Sequence, residues 1–194
     1  MRNEIIIIGP CMVGKTTVSQ KLSEKLNKKH INMDSMRETI YEEIGYSREL
    51  RKKLFKENGM WHEKGAYPYL QPFAFYAVKK ILSTFSDCIF DFGAYLGHYE
   101  DETMFSEIKE LFSNFRNVIL YLPSADKQES IEMLTKIYTQ YDENGNLMFH
   151  DPTGIRDSIS DIGYYFNCGL ANHTVYRYEK SAEEVADEII TIIK

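Results

Sequence analysis

The residues best equipped for chemistry stand near the amino end, in the stretch IIIIGPCMVGKTT. There Gly9, Gly14, Lys15 and Thr16 meet the spacing G-x-x-x-x-G-K-S/T. Glycines at those positions let the main chain curl so that successive amides point inward, and the start of a helix adds partial positive charge. Such a loop is a nest for an anion. The pattern predicts that the segment Gly9, Pro10, Cys11, Met12, Val13, Gly14, Lys15, Thr16 and Thr17 surrounds the phosphates of a nucleoside triphosphate, ATP first among them. Lys15 is expected to reach the β- and γ-phosphates and the Thr16 hydroxyl to ligate Mg²⁺. Cys11 reads as a filler whose backbone amide matters more than its thiol.

Two carboxylates are candidates for the rest of the chemistry. Asp34 follows Ile31-Asn32-Met33 and is expected at the carboxyl edge of the sheet, where ligands bind in open α/β folds. It could accept a proton from an acceptor hydroxyl, hold a water on Mg²⁺, or cap the helix that begins near Ser35. Asp91 ends the apolar run Cys88-Ile89-Phe90, which suits a metal-supporting carboxylate and equally suits the start of a turn through Gly93. Gly93 and Gly97 are expected to keep open the loop beneath a second substrate, with His98 and Tyr99 nearby. Arg156 and Lys136 flank the turn-rich stretch 141–154, read as a mobile loop; a lid there needs a cation against the developing charge, with Arg156 the first candidate, Lys136 another, and a solvated surface the ordinary reading of either.

The elements that must hold these residues alternate along the chain. A β-branched strand, Ile5 to Ile8, suits burial on both faces. A helix from about Gly14 carries Val18, Leu22 and Leu26 on one side. A short strand ending near Met33 leads to a helix through Met36, Ile40 and Ile44. The segment Arg48 to Pro72 looks irregular, and Phe73 to Phe85 reads as a helix. Further strands are expected at Cys88 to Phe90, Val118 to Leu122 and Thr174 to Tyr176. Ser124 is a candidate cap for a helix with Ile131, Leu134 and Ile137, and Ser181 with Glu184 forms a capping box. Alternation of this kind predicts a three-layer α/β/α fold, a five-stranded parallel sheet flanked by helices, in one domain over 1–194.

Composition narrows the partners. A formal net charge of −6 provides no basic field for nucleic acid or anionic lipid, so any anion must be met by local groups. Four isoleucines before Gly9 are too few for a membrane span or a signal-peptide core. Three cysteines, far apart and odd in number, suggest neither disulfides nor a zinc site and fit a reducing cytoplasm. The oligomeric state is left open.

In the order of these parts the sequence resembles the shikimate-kinase-like branch of P-loop kinases with the nucleoside-monophosphate-kinase fold. The resemblance rests on the Gly9 to Thr16 loop, on Asp34 after the second strand, and on the passage from Ala171 through Val175 to the helix after Ser181. It implies that Asp34 contacts the acceptor hydroxyl. The sequence departs from the family at Gly93-Ala94-Tyr95, where a G-G-G turn is usual. It departs again at Gly59-Met60-Trp61-His62-Glu63, where an acceptor-binding arginine is expected, and at Leu147-Met148-Phe149-His150 in the lid. These departures point to an acceptor other than shikimate. The expectation is an ATP- and Mg²⁺-dependent kinase acting on a small-molecule hydroxyl or phosphate. The alternatives are a nucleotide-binding switch with weak hydrolysis and a toxin-like kinase acting on a nucleoside or nucleotide sugar.

Overall fold

The computed structural model describes residues 2–60, 63–139, 162–167 and 169–193. The first half of the chain runs β1 (Arg2–Ile8), α1 (Lys15–Leu26), β2 (Lys29–Asn32), α2 (Met33–Glu42), α3 (Arg48–Asn58) and α4 (Ala66–Thr84). The second half runs β3 (Cys88–Asp91), a 3-10 turn (Ala94–Gly97), α5 (Glu102–Ser113), β4 (Phe115–Leu122), α6 (Lys127–Tyr138), α7 (162–167), β5 (His173–Tyr176) and α8 (Ala182–Ile192). The five strands form one parallel sheet in the order β2-β3-β1-β4-β5. Every strand therefore delivers its carboxyl end to the same edge. Among the described residues no helix is long and apolar enough to cross a membrane.

Strand periodicity divides the core into two layers. Ile5 and Ile7 of β1 join Ile89 of β3 and Ile119 of β4 against Val18 and Leu22 of α1 and Val185 and Ile189 of α8. Ile6 and Ile8 point the other way, with Phe90, Val118 and Leu120, onto α2, α4 and α5. All four isoleucines are essentially inaccessible to water, and each contributes about 1.5–3 kcal/mol by burial. This double-sided burial is why the central strand reads as an unbroken apolar run.

Several boundaries differ from the sequence expectation. The stretch 48–72 is largely helical: Ser47 caps α3 by accepting from the Leu50 N–H, and α4 begins at Ala66. Pro72 lies inside α4 and removes a helical hydrogen bond, at about 3 kcal/mol. The buried face of Tyr67, Leu70, Ala74, Ala77, Val78, Ile81 and Leu82 carries the helix through it. Helix α2 stops at Glu42, leaving Ile44 exposed. Asp126 caps α6, taking the Glu129 N–H, while Ser124 instead contacts Glu129 and accepts from the Asp126 N–H. The capping box at Ser181 and Glu184 forms as expected.

Candidate active site

The loop after β1 is built by one close approach. Gly9 has φ 149°, and a Cβ there would overlap the Tyr121 carbonyl of β4, so no other residue lets β1 end against its neighbour and turn. Met12 (φ 65°) and Gly14 (φ 102°) complete the curl, and α1 starts at Lys15. The chain thus converts from strand to helix within six residues, and the first amides of α1 are left free of helical partners.

Lys15 is buried, and its Nζ donates to the carbonyls of Gly9 at 2.9 Å and Pro10 at 2.8 Å. An ammonium is therefore held at the mouth of the loop by oxygens of the loop itself. Pro10 has no N–H, so within the predicted ring of donors it serves only as an acceptor for Lys15. The Val13 side chain is buried in the core under α1 and α8, which anchors the loop from below. Thr16 and Thr17 are exposed at the first turn of α1.

A cavity of about 280 Å³ opens above the loop, lined by Cys11, Met12, Gly14, Lys15, Thr16, Asp34, Asp91 and Gly93. The structure thus brings the loop, both carboxylates and Gly93 around one space. Asp91 is almost inaccessible at the end of β3 and is bracketed by two side chains of β2. Asn32 Nδ2 donates to Asp91 Oδ2 at 3.3 Å, and His30 Nε2 stands 3.4 Å from the same oxygen. Parallel register pairs Asn32 directly with Asp91.

Asp34 is not at the strand end but in the first turn of α2, and it is not the cap. Asn32 caps α2, its Oδ1 accepting from the Ser35 N–H at 3.1 Å. Asp34 is half exposed and forms an ion pair with Arg37 one turn on, Nη1 to Oδ1 2.7 Å. Beneath it lies Gly93 at φ −59°, where a Cβ would overlap the Asp34 carboxylate. Gly93 therefore matters through its missing side chain rather than its backbone freedom. Gly97 has a packing role instead, against the Tyr165 hydroxyl and Ile8. His98 and Tyr99 are buried, His98 with its ring stacked on Tyr164 at 3.8 Å.

Beyond Asp34 a tighter pocket of about 60 Å³ is lined by Arg37, Glu38, Tyr41, Tyr46, Arg51, Tyr67, Leu70 and Ala74, from α2, α3, α4 and the connection between α2 and α3. Glu38 is ion-paired with Arg48. Burial pushes the Tyr41 hydroxyl well above the usual phenol range and raises that of Tyr46, so both remain protonated donors at neutral pH. The aromatic side chains of this region pack largely on one another. Tyr46 meets Tyr41 edge-on at 5.4 Å and Phe73 at 5.5 Å, and stacks on Tyr69 at 6.0 Å.

Sequence reasoning missed Arg37, Arg51, Asn32 and His30. Arg37 had a local signal in its helical i,i+3 spacing from Asp34, and Asn32 in its aptness as a helix cap. Arg156 and the stretch 141–154 lie outside the described residues, as do Trp61 and His62. Among the described residues no cluster of three or more His, Cys, Asp or Glu forms a metal cage. Thr16 and Asp91 on one cavity are the sparse donor set that suits Mg²⁺, which keeps waters and takes phosphate oxygens for the rest.

No known family model matches this sequence, and no curated protein matches it. Solved structures do match its fold. Shikimate kinase from Acinetobacter baumannii, in complex with shikimate, superposes with a TM-score of 0.61 at 16% identity, over 100% of this chain and 93% of the other. A gluconokinase from Sinorhizobium meliloti 1021 gives 0.58 at 12% identity, over 100% and 93%. The YorR protein of Bacillus subtilis, in complex with phosphorylated GDP, gives 0.51 at 20% identity, over 98% and 95%. The chain has the α/β fold of P-loop kinases, at identities that show the fold alone.

Proposed function

We propose that this chain is an ATP- and Mg²⁺-dependent small-molecule kinase that transfers the γ-phosphoryl group to an acceptor hydroxyl or phosphate. The observation that carries this reading is the single cavity shared by the phosphate-type loop, Lys15, Thr16, Asp34, Asp91 and Gly93. A fold shared with small-molecule kinases supports it.

In this reading the amides of the loop and the start of α1 hold the triphosphate. Lys15 exchanges its two carbonyl partners for phosphate oxygens. Mg²⁺, when bound, neutralises charge on the β- and γ-phosphates. Thr16 offers it a hydroxyl, and Asp91 a carboxylate acting through water. Asn32 holds the Asp91 carboxylate from the neighbouring strand. The acceptor oxygen bonds to the γ-phosphorus as the bond to the bridging oxygen of ADP breaks. A hydroxyl acceptor gives its proton to Asp34. Because the transition state is loose, most of the acceleration comes from position and charge.

The reading is tested by ADP release from ATP·Mg²⁺ across a panel of sugar acids, cyclic polyols, nucleosides and nucleotides. Nucleotides belong in the panel because the similarly folded YorR protein binds a phosphorylated guanine nucleotide. At least one compound is expected to raise ADP release stoichiometrically with its own phosphorylation. A protein that binds ATP, phosphorylates nothing in the panel and gains a nucleotide-dependent protein partner would instead be a switch.

Gly93→Ala separates the site from the fold. Its backbone accommodates alanine, so the melting curve is expected to stay within about 0.5 kcal/mol of the parent. The added methyl must push the Asp34 carboxylate aside, and misplacement of about 1 Å lowers transfer roughly 10²-fold. Normal transfer by a folded Gly93→Ala protein would detach Asp34 from the reaction.

A further inference from the structure

Asp34 and Arg37 stand on the wall between two spaces. Asp34 lines the cavity over the phosphate loop, whereas Arg37 lines the tight pocket between α2, α3 and α4, and the pair joins them at 2.7 Å. From this geometry, and resting on the kinase reading above, we propose that the pair is a latch worked by an acceptor bearing a compact anionic group. That group seats between Arg37 and Arg51, draws Arg37 off Asp34, and so releases the Asp34 carboxylate to take the acceptor's proton.

Three observations support the anionic class. The pocket is about 60 Å³, room enough for a carboxylate or phosphate, with the body of the acceptor extending toward Asp34. Its two guanidiniums are planar forks suited to bidentate oxyanion binding. Its only carboxylate among the described lining residues, Glu38, is ion-paired with Arg48 and faces Arg37 and Arg51 as well, so guanidiniums outnumber it around the pocket. Tyr41 and Tyr46 also line it, while the Tyr67 hydroxyl donates to the His98 carbonyl.

The latch also restrains waste. The pair takes up one of the two Asp34 oxygens, since Arg37 Nη1 sits 2.7 Å from Oδ1. While Arg37 holds Asp34, water in the acceptor position finds that oxygen already engaged. The acceptor's own charge supplies the exchange partner, so transfer is favoured over hydrolysis.

The experiment measures ADP release with saturating ATP·Mg²⁺ and no acceptor. Arg37→Gln is expected to release ADP about tenfold faster than the parent, a fraction of the 10²–10⁴ that a placed base supplies. Arg37→Lys should return toward the parent rate, and Asp34→Asn combined with Arg37→Gln should lose the gain. Millimolar sulfate, as a compact oxyanion, is expected to raise release by the parent and leave Arg37→Gln unmoved. ATP affinity, measured by calorimetry on each protein, separates the two ways to fail. If the proteins bind ATP alike and Arg37→Gln releases ADP no faster, the latch is wrong and the kinase reading stands. If none binds ATP, both fall.

Discussion

Lys15→Ala is expected to bind ATP weakly and to lose turnover by roughly 10²–10³, the scale set by removing one preorganised donor from developing charge. The fold should survive. In the structure the Lys15 ammonium is held by the carbonyls of Gly9 and Pro10, not by a carboxylate. Those carbonyls belong to a loop that lines an open cavity, and water can satisfy them once the lysine is gone. The loop's shape depends on other things: the approach of Gly9 to Tyr121, the curl at Met12 and Gly14, and the buried Val13. Circular dichroism should therefore overlay with the parent while calorimetry with ATP·Mg²⁺ shows little heat. Unchanged turnover in this variant would remove Lys15, and with it the assigned role of the loop.

Asp34→Asn is expected to show the opposite split, with ATP affinity within about twofold of the parent and transfer lower by roughly 10²–10⁴, the range of a positioned general base. The amide keeps the size of the carboxylate and its place over Gly93 but accepts a proton poorly. The helix should be indifferent, since Asn32 and not Asp34 caps α2. Equal single-turnover rates for Asp34→Asn and the parent would leave Asp34 with no more than its pair to Arg37.

How far the sequence discloses this site depends on how local each signal is. The phosphate-type loop was legible because spacing, a strand before and a helix after are all local, and the structure places them accordingly. Asp91 was legible at a strand end for the same reason. The segment Ile31-Asn32-Met33-Asp34-Ser35 was harder, because Asn, Asp and Ser all make good caps and four residues of strand leave little periodicity to count. The sequence could not say which one turns its side chain to the helix, and Asn32 does so while also reaching Asp91. That second contact exists only through the register of β2 with β3. Arg51 needed the packing of α3 against α4, in a stretch whose charges and aromatics read as irregular. The strand order was equally out of reach, because short apolar strands carry no label for their neighbours.

The central place of β1 bears on how the chain comes to be folded during synthesis. The four-isoleucine strand leaves the ribosome well ahead of its partners, since β3 and β4 stand more than eighty and more than a hundred residues further on. For all that interval its main-chain groups and apolar faces have no mate within the sheet. Non-local pairing of this kind is slow to form and leaves an adhesive segment on view. The strand that seats the phosphate loop is thus also the one with most need of a chaperone's shelter.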